Sequence, residues 1–302
     1  MTVDVTNIEL AHSGSLSMPS VGMRCEILHV DDVYHAASQA LKDGCRLLDT
    51  TWLYNNEEAV GRALKESGIG RDQVFLTAKL WSTFHRHPEK GLELSLKNLG
   101  TDYLDLFLVH WPVALKPDSE NSLIPRRADG SRDVDTEWTL AQTWAKMQQL
   151  VDSGKVRAIG VANVASGQLE ALLQAPTTTI KPAVVQVELH PFLPQKKLLE
   201  VAKANGIIVQ GYCPTSSEMI NLLNHPTLTR LATQHGATKG EILAAWMKYH
   251  GGAALLRKVR GKALPKLNEE EFGAIDGLYR KNKQVRILKP DWNVEGLYDE
   301  LN

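Results

Sequence analysis

Short runs rich in leucine and β-branched residues alternate along the chain with longer segments whose apolar residues recur at helical spacing. The runs cover residues 20–23, 46–50, 74–80, 104–110, 158–163, 183–189, 207–212 and 253–258. Their length and near-continuous apolarity are those of strands buried on both faces. Between them Val33, Ala36, Ala37, Ala40 and Leu41 trace a helical face, and Leu92, Leu94, Leu96 and Leu99 follow Pro88 in a second helical segment. Glycine closes many of these segments, at Gly44, Gly68, Gly100, Gly154 and Gly206, where a residue at ease in the left-handed region ends a helix.

Eight strand-then-helix units predict an α/β fold, the (β/α)8 TIM barrel. An open doubly wound sheet would more often carry a GxGxxG turn after its first strand, and none occurs. No Pro/Gly/Ser-rich linker divides the chain, so a single domain is expected over residues 1–302, with loop inserts near 113–136 and 213–224 and a C-terminal tail over 283–302. Barrel chemistry gathers at the carboxyl ends of the strands. The predicted ends carry Asp49, Lys79, His110, Asn163, Gln186 with Glu188, Tyr212 and Lys258, and Tyr54 follows Asp49 on the first loop. A phenol becomes a useful proton donor when a neighbouring cation stabilises its anion, the part expected of Lys79 held by Asp49, while His110 orients a carbonyl oxygen. A plain structural ion pair between Asp49 and Lys79 is the bland alternative.

Composition narrows the partners. The chain balances 34 Lys+Arg against 35 Asp+Glu, with 43% hydrophobic and 23% charged residues. That excludes wholesale disorder and offers no basic excess for nucleic acid or anionic membrane. A small-molecule substrate is the expected partner, and no protein partner is inferred. Cys25, Cys45 and Cys213 form no CxxC pair, which excludes a disulfide framework, and the amino terminus lacks the basic flank and apolar core of a secretory leader. A cytoplasmic location is expected. His85 and His87 have no third ligand at suitable spacing, so no metal is expected.

Five stretches, 44–57, 76–81, 105–112, 159–163 and 186–191, resemble the aldo-keto reductases, and the resemblance runs through nearly the whole chain. It implies a barrel that binds NADP(H), with Tyr54 as general acid and Asp49, Lys79 and His110 completing a tetrad. It further implies that Asn163 and Gln186 hold the nicotinamide carboxamide, that Tyr212 stacks on its ring, and that Lys258 belongs to the cofactor site. Trp81, Trp111 and Trp292 match substrate-pocket walls.

Departures from the family pattern concentrate on the cofactor cradle. The first strand usually reads Gly-x-Gly-Thr-Trp in such proteins; here Arg24, Cys25 and Glu26 stand at its last three positions. Arg24 adds a long cation at a site of close ligand approach and is a candidate substrate contact, with a salt bridge to Glu26 as the simpler role. The segment after Lys258, with Arg260, Lys262 and Lys266 and with Arg257 just before it, is shorter than the family's and lacks its adenosine clamp. Three functions follow: NADP(H)-dependent reduction of an aldehyde or ketone; redox-neutral isomerisation, dehydration or cyclisation by the same acid–base groups; and a non-catalytic binding or regulatory barrel.

Overall fold

The computed structural model describes residues 6–26, 30–117, 123–213, 221–259, 263–281 and 284–299. Its first element is a hairpin of β1 (Asn7–Glu9) and β2 (Ser17–Pro19), paired antiparallel. Eight parallel strands then close into a barrel: β3 (Val21–Arg24), β4 (Leu47–Asp49), β5 (Phe75–Leu80), β6 (Leu104–Val109), β7 (Val156–Ala162), β8 (Val184–Glu188), β9 (Ile208–Tyr212) and β10 (Gly252–Leu256). Closure comes from β10, which pairs with β9 on one side and β3 on the other. Each predicted strand is present, with ends shifted by one or two residues. The hairpin is an addition that the run pattern misses.

Helices cover the barrel: α1 (Val30–Lys42), α2 (Glu57–Glu66), α3 (Pro88–Leu99), α4 (Leu140–Asp152), α5 (Ser166–Gln174), α6 (Lys196–Ala204), α7 (Pro226–His235), α8 (Lys239–Gly251) and α9 (Glu269–Lys281). Their ends are written in local chemistry. Thr139 and Gln142 form a reciprocal capping box on α4, as Thr238 and Glu241 do on α8. The five glycines named above all take positive φ, between 63° at Gly100 and 90° at Gly44.

Side chains sort into two layers by the alternation of each strand. One set, including Met23, Leu48, Leu76, Phe107, Val109, Val161, Val185 and Val209, packs outward against the helices. The other points into the cylinder: Leu47, Phe75, Leu106, Leu108, Ala158, Ala162, Val184, Ala253 and Leu255, together with Leu10, Leu16 and Met18 of the hairpin region. The hairpin thus lends apolar residues to the core inside the barrel, and in β3, β4, β5, β8 and β9 the interior column ends in a polar or ionisable side chain, whereas in β7 and β10 it stays apolar. That inner column, continued upward, is what builds the site.

Candidate active site

Asp49 ends β4, Lys79 lies one residue from the end of β5, His110 follows β6 directly, Gln186 and Glu188 occupy alternate positions of β8, and Tyr212 ends β9. Arg24 ends β3, in register with Asp49. The strands deliver these groups as one connected set. Lys79 Nζ donates to Asp49 Oδ1 at 2.5 Å and to the Thr50 carbonyl at 2.9 Å, and Gln186 Nε2 donates to Asp49 Oδ2 at 2.7 Å. Tyr212 donates its hydroxyl to Asn163 Oδ1 at 2.6 Å, and Asn163 Nδ2 donates to the His110 carbonyl at 2.8 Å. The Tyr54 and His110 rings meet edge to face, 6.4 Å between centroids.

Tyr54 reaches this set because its loop is pinned. A short 3-10 turn, Trp52–Tyr54, ends at Asn55, which adopts φ 51° and so uses the tolerance of asparagine for the left-handed region. Asn56 accepts from the Thr50 hydroxyl at 3.1 Å and donates to the Cys25 carbonyl at 2.8 Å, tying the loop to the ends of β4 and β3. Glu57, buried at the start of α2, accepts from Asn98 of α3 at 3.0 Å. The two asparagines and the glutamate are therefore scaffolding for the phenol, a role the sequence signals only as a motif.

The cation beside Tyr54 is not the one expected. Arg24 Nη2 donates to Tyr54 Oη at 3.1 Å, whereas the hydrogen bonds of Lys79 Nζ among the described residues go to Asp49 and Thr50. Arg24 is buried, lies 2.7 Å from Glu26 Oε2 through Nη1, and lays its guanidinium over the Tyr212 ring at 4.3 Å. The predicted Arg24–Glu26 pair is present, and the stacking on Tyr212 is added to it. Burial pushes the Tyr54 phenol above its ordinary value; Arg24 opposes the rise, and the charges of Glu26 and Asp49 add to it. His110 is held well below the usual imidazole value, first by burial and then by the positive charges of Lys79 and Arg24, so it is neutral at neutral pH. Burial also lowers Lys79, against the pull of Asp49.

Aromatic side chains wall the opening. Trp81 lies 5.4 Å from the His110 ring, Trp111 6.3 Å from it, and Trp292 of the C-terminal tail packs on both tryptophans at 6.1 and 5.5 Å. Arg132, from the insert after β6, covers the Trp292 ring at 4.2 Å. The tail is fastened by Glu188, whose two carboxylate oxygens accept from the backbone N–H of Ile287 and Leu288, each at 2.7 Å, and by Asp299, which accepts from Ser166. Glu188 also pairs with buried His190 at 2.9 Å. Its place at a strand end was visible in the sequence; its partners, a hundred residues on, were not.

Lys258 does not join the set. β10 stops at Leu256, and Lys258 stands exposed beyond it; the inward positions of that strand are Ala253 and Leu255, so continued alternation would turn residue 258 away from the interior. Arg260, Gly261, Lys262 and Pro214 to Thr215 lie outside the described residues. His85 is buried and shares a hydrogen bond with Thr143 at 3.1 Å, and exposed His87 pairs with Glu89 at 3.2 Å.

Comparison with known proteins adds relatives to this geometry. A sequence model described as the aldo/keto reductase family matches residues 28–265. Over 301 residues the chain is 37% identical to a glycerol 2-dehydrogenase (NADP(+)) of Saccharomyces cerevisiae, covering 96% of each protein. It is 38% identical over 270 residues to an aldehyde reductase of the same yeast, covering 86% of each. Among solved structures, an aldose reductase of Giardia lamblia superposes with a TM-score of 0.80 at 29% identity, covering 91% of this chain and 97% of that one.

Proposed function

We propose that this chain, which belongs to the aldo/keto reductase family and is an oxidoreductase of that type, reduces the carbonyl group of a small aldehyde or ketone with Tyr54 as the proton donor. The observation that carries the reading is the environment of one hydroxyl. Tyr54 Oη accepts from Arg24, and no acceptor among the described residues takes its proton, which leaves that proton directed to a ligand. A carbonyl oxygen placed there meets a second donor. Thr51 Oγ1 lies 3.3 Å from His110 Nδ1; with the hydroxyl donating, the neutral imidazole carries its proton on Nε2 and offers it to the same oxygen. Oxygen gaining negative charge is stabilised by both donors, and the phenolic proton completes the alcohol.

In this reading NADP(H), the cofactor carried in the name of the glycerol dehydrogenase, would supply the hydride. Asn163, Gln186 and Tyr212 are the residues for its carboxamide and ring, yet as the side chains stand the ring does not fit. Both ends of the Asn163 amide are engaged, the Gln186 nitrogen is shared between Asp49 and Gln210, and the Tyr212 face lies under Arg24. The aromatic walls favour an apolar or flat substrate body.

The test is NADPH consumption against a panel of short aldehydes and ketones, by the wild type and by Tyr54→Phe. Loss of roughly 100- to 10,000-fold in turnover is expected from removing a general acid; activity within twofold of wild type would refute the assignment. The guanidinium on Tyr212 favours a second reading, in which the same acid–base groups act on a carbonyl without hydride transfer. Turnover sensitive to Tyr54→Phe, in a protein that binds no nucleotide at millimolar concentration, is the outcome that would select it.

A further inference from the structure

We propose that Arg24 is a built-in competitor for the flat face of Tyr212: a planar ring enters the mouth only when the guanidinium withdraws toward Glu26, and a neutral ring is admitted more readily than a cationic one. The inference rests on the nucleotide reading above and deepens it, since the reduced nicotinamide ring is neutral and the oxidised ring carries a positive charge.

The position of residue 24 leaves the side chain as the part that moves. Arg24 is held in register with Asp49, and the next amide, Cys25 N–H, donates to the Asp49 carbonyl at 2.8 Å. Two residues earlier, a Cβ on Gly22 would lie 2.1 Å from Leu47 Cδ2, so the start of the strand is packed without slack. Within the mouth, among the described residues, the guanidinium has a single hydrogen bond to a neutral hydroxyl and one stacking contact. Its other amine, Nη1, is close to Glu26 Oε2 but is buried without a well-aligned hydrogen bond. Glu26 itself stands at the rim with its side chain 39% exposed and already 2.7 Å from Nη1, so the cation keeps this partner as it leaves the ring.

Displacement forfeits the ring contact and the Tyr54 bond, which together weaken ring binding by on the order of tenfold to a hundredfold. The displaced guanidinium remains tethered near the opening. A like charge several Å away, at the effective dielectric of a partly buried site, costs a cationic ring about another tenfold or more. Lys79 adds little to this, being neutralised by Asp49 at 2.5 Å.

The experiment titrates NADPH and NADP+ separately, by nucleotide and tryptophan fluorescence, against wild type, Arg24→Gly and Arg24→Met, with thermal unfolding to establish that each variant is folded. Arg24→Gly is expected to bind both nucleotides at least tenfold more tightly than wild type, with the larger gain for NADP+. Arg24→Met keeps bulk without charge and is expected to narrow the NADPH preference while improving NADPH binding less than glycine does. Wild type that binds nucleotide with the same affinities as Arg24→Gly would overturn the proposal and leave the nucleotide reading intact. Absence of binding to any of the three at millimolar nucleotide would remove the reading and the inference together. A silent wild type beside a binding Arg24→Gly would establish the competitor and move the natural reaction to the redox-neutral reading.

Discussion

Replacing Glu188 by glutamine isolates the fastening of the tail, because it exchanges one carboxylate oxygen for an NH2 group and changes almost no volume. In the wild type both carboxylate oxygens accept backbone N–H groups of the tail at 2.7 Å, and the side chain is almost fully buried. Hydrogen bonds to a charged group contribute about 1.5–3 kcal/mol each. Glutamine keeps one acceptor and sets an NH2 against the other amide, so the local cost is about 2–4 kcal/mol. Other ties, among them the Val285 N–H to the Phe192 carbonyl at 2.9 Å, Arg286 to Gln195 at 3.5 Å and the Ser166–Asp299 pair, leave these two amides without a substitute acceptor. Amide hydrogen exchange over residues 284–299 is therefore expected to speed up by roughly 30- to 1,000-fold, with exchange in the barrel strands unchanged. The pH dependence has a definite sign. Burial tends to raise the Glu188 carboxyl, but the hydrogen bond and charge of His190 and then the two tail amides outweigh it and hold the group below its ordinary value. Its stabilisation is thus complete above the carboxyl value of the unfolded chain and fades as pH falls through the lower, folded value. The glutamine variant should lack that acid-dependent release of the tail. Unchanged exchange at Ile287 and Leu288 in Glu188→Gln would refute the anchor.

Two further predictions concern the frame. Burial depresses His85 to about 3 from an ordinary 6.5, so the unfolded chain takes up the proton first. Its contribution should be present above about 6.5 and lost as pH falls from there toward 3; urea unfolding across that window should show a shallower decline for His85→Gln, and an identical decline would discount the residue. A Cβ on Gly61 of α2 would lie 2.2 Å from the Leu99 carbonyl oxygen of α3. Gly61→Ala is expected to cost about 1–3 kcal/mol in chemical denaturation, whereas Gly167→Ala, with open space around it, should be neutral or stabilising; equal effects at the two sites would contradict the packing argument.

The barrel was legible because near-continuous apolar runs and glycine stops are local signals. Runs such as 104–110 carry their inner column, Leu106, Leu108, His110, in the order in which they are read. The hairpin was missed because β1 and β2 are three residues each and Asn7–Glu9 presents a single apolar side chain, too little for alternation to register. Lys258 was placed at a strand end because the alternation of that run does not reveal where pairing stops. Asp49 and Lys79 could be nominated from strand ends and Tyr54 from the loop that follows, but which cation touches the phenol depends on distances between strands; Lys79 turned out to be committed to Asp49 and Thr50, and Arg24 to the hydroxyl. Glu188 shows the same limit at longer range, since its partners lie in the tail.

The inner column of β3 explains why one residue has such leverage over this mouth. At its lower position only glycine fits, because the Leu47 side chain crosses the space a Cβ would need. Alternation then dictates that position 24 faces the same way, and the register with Asp49 sets it level with the acid–base groups. Whatever stands there projects into the space shared by Tyr54 and Tyr212. Neither the helices nor the loops can redirect it without breaking closure of the barrel between β10 and β4. A glycine would leave the aromatic face open to a ligand; an arginine fills it and contributes a charge whose partner, Glu26, sits two residues further along the chain. The geometry that makes the barrel rigid is therefore also what makes the chemistry of the site answer to a single side chain.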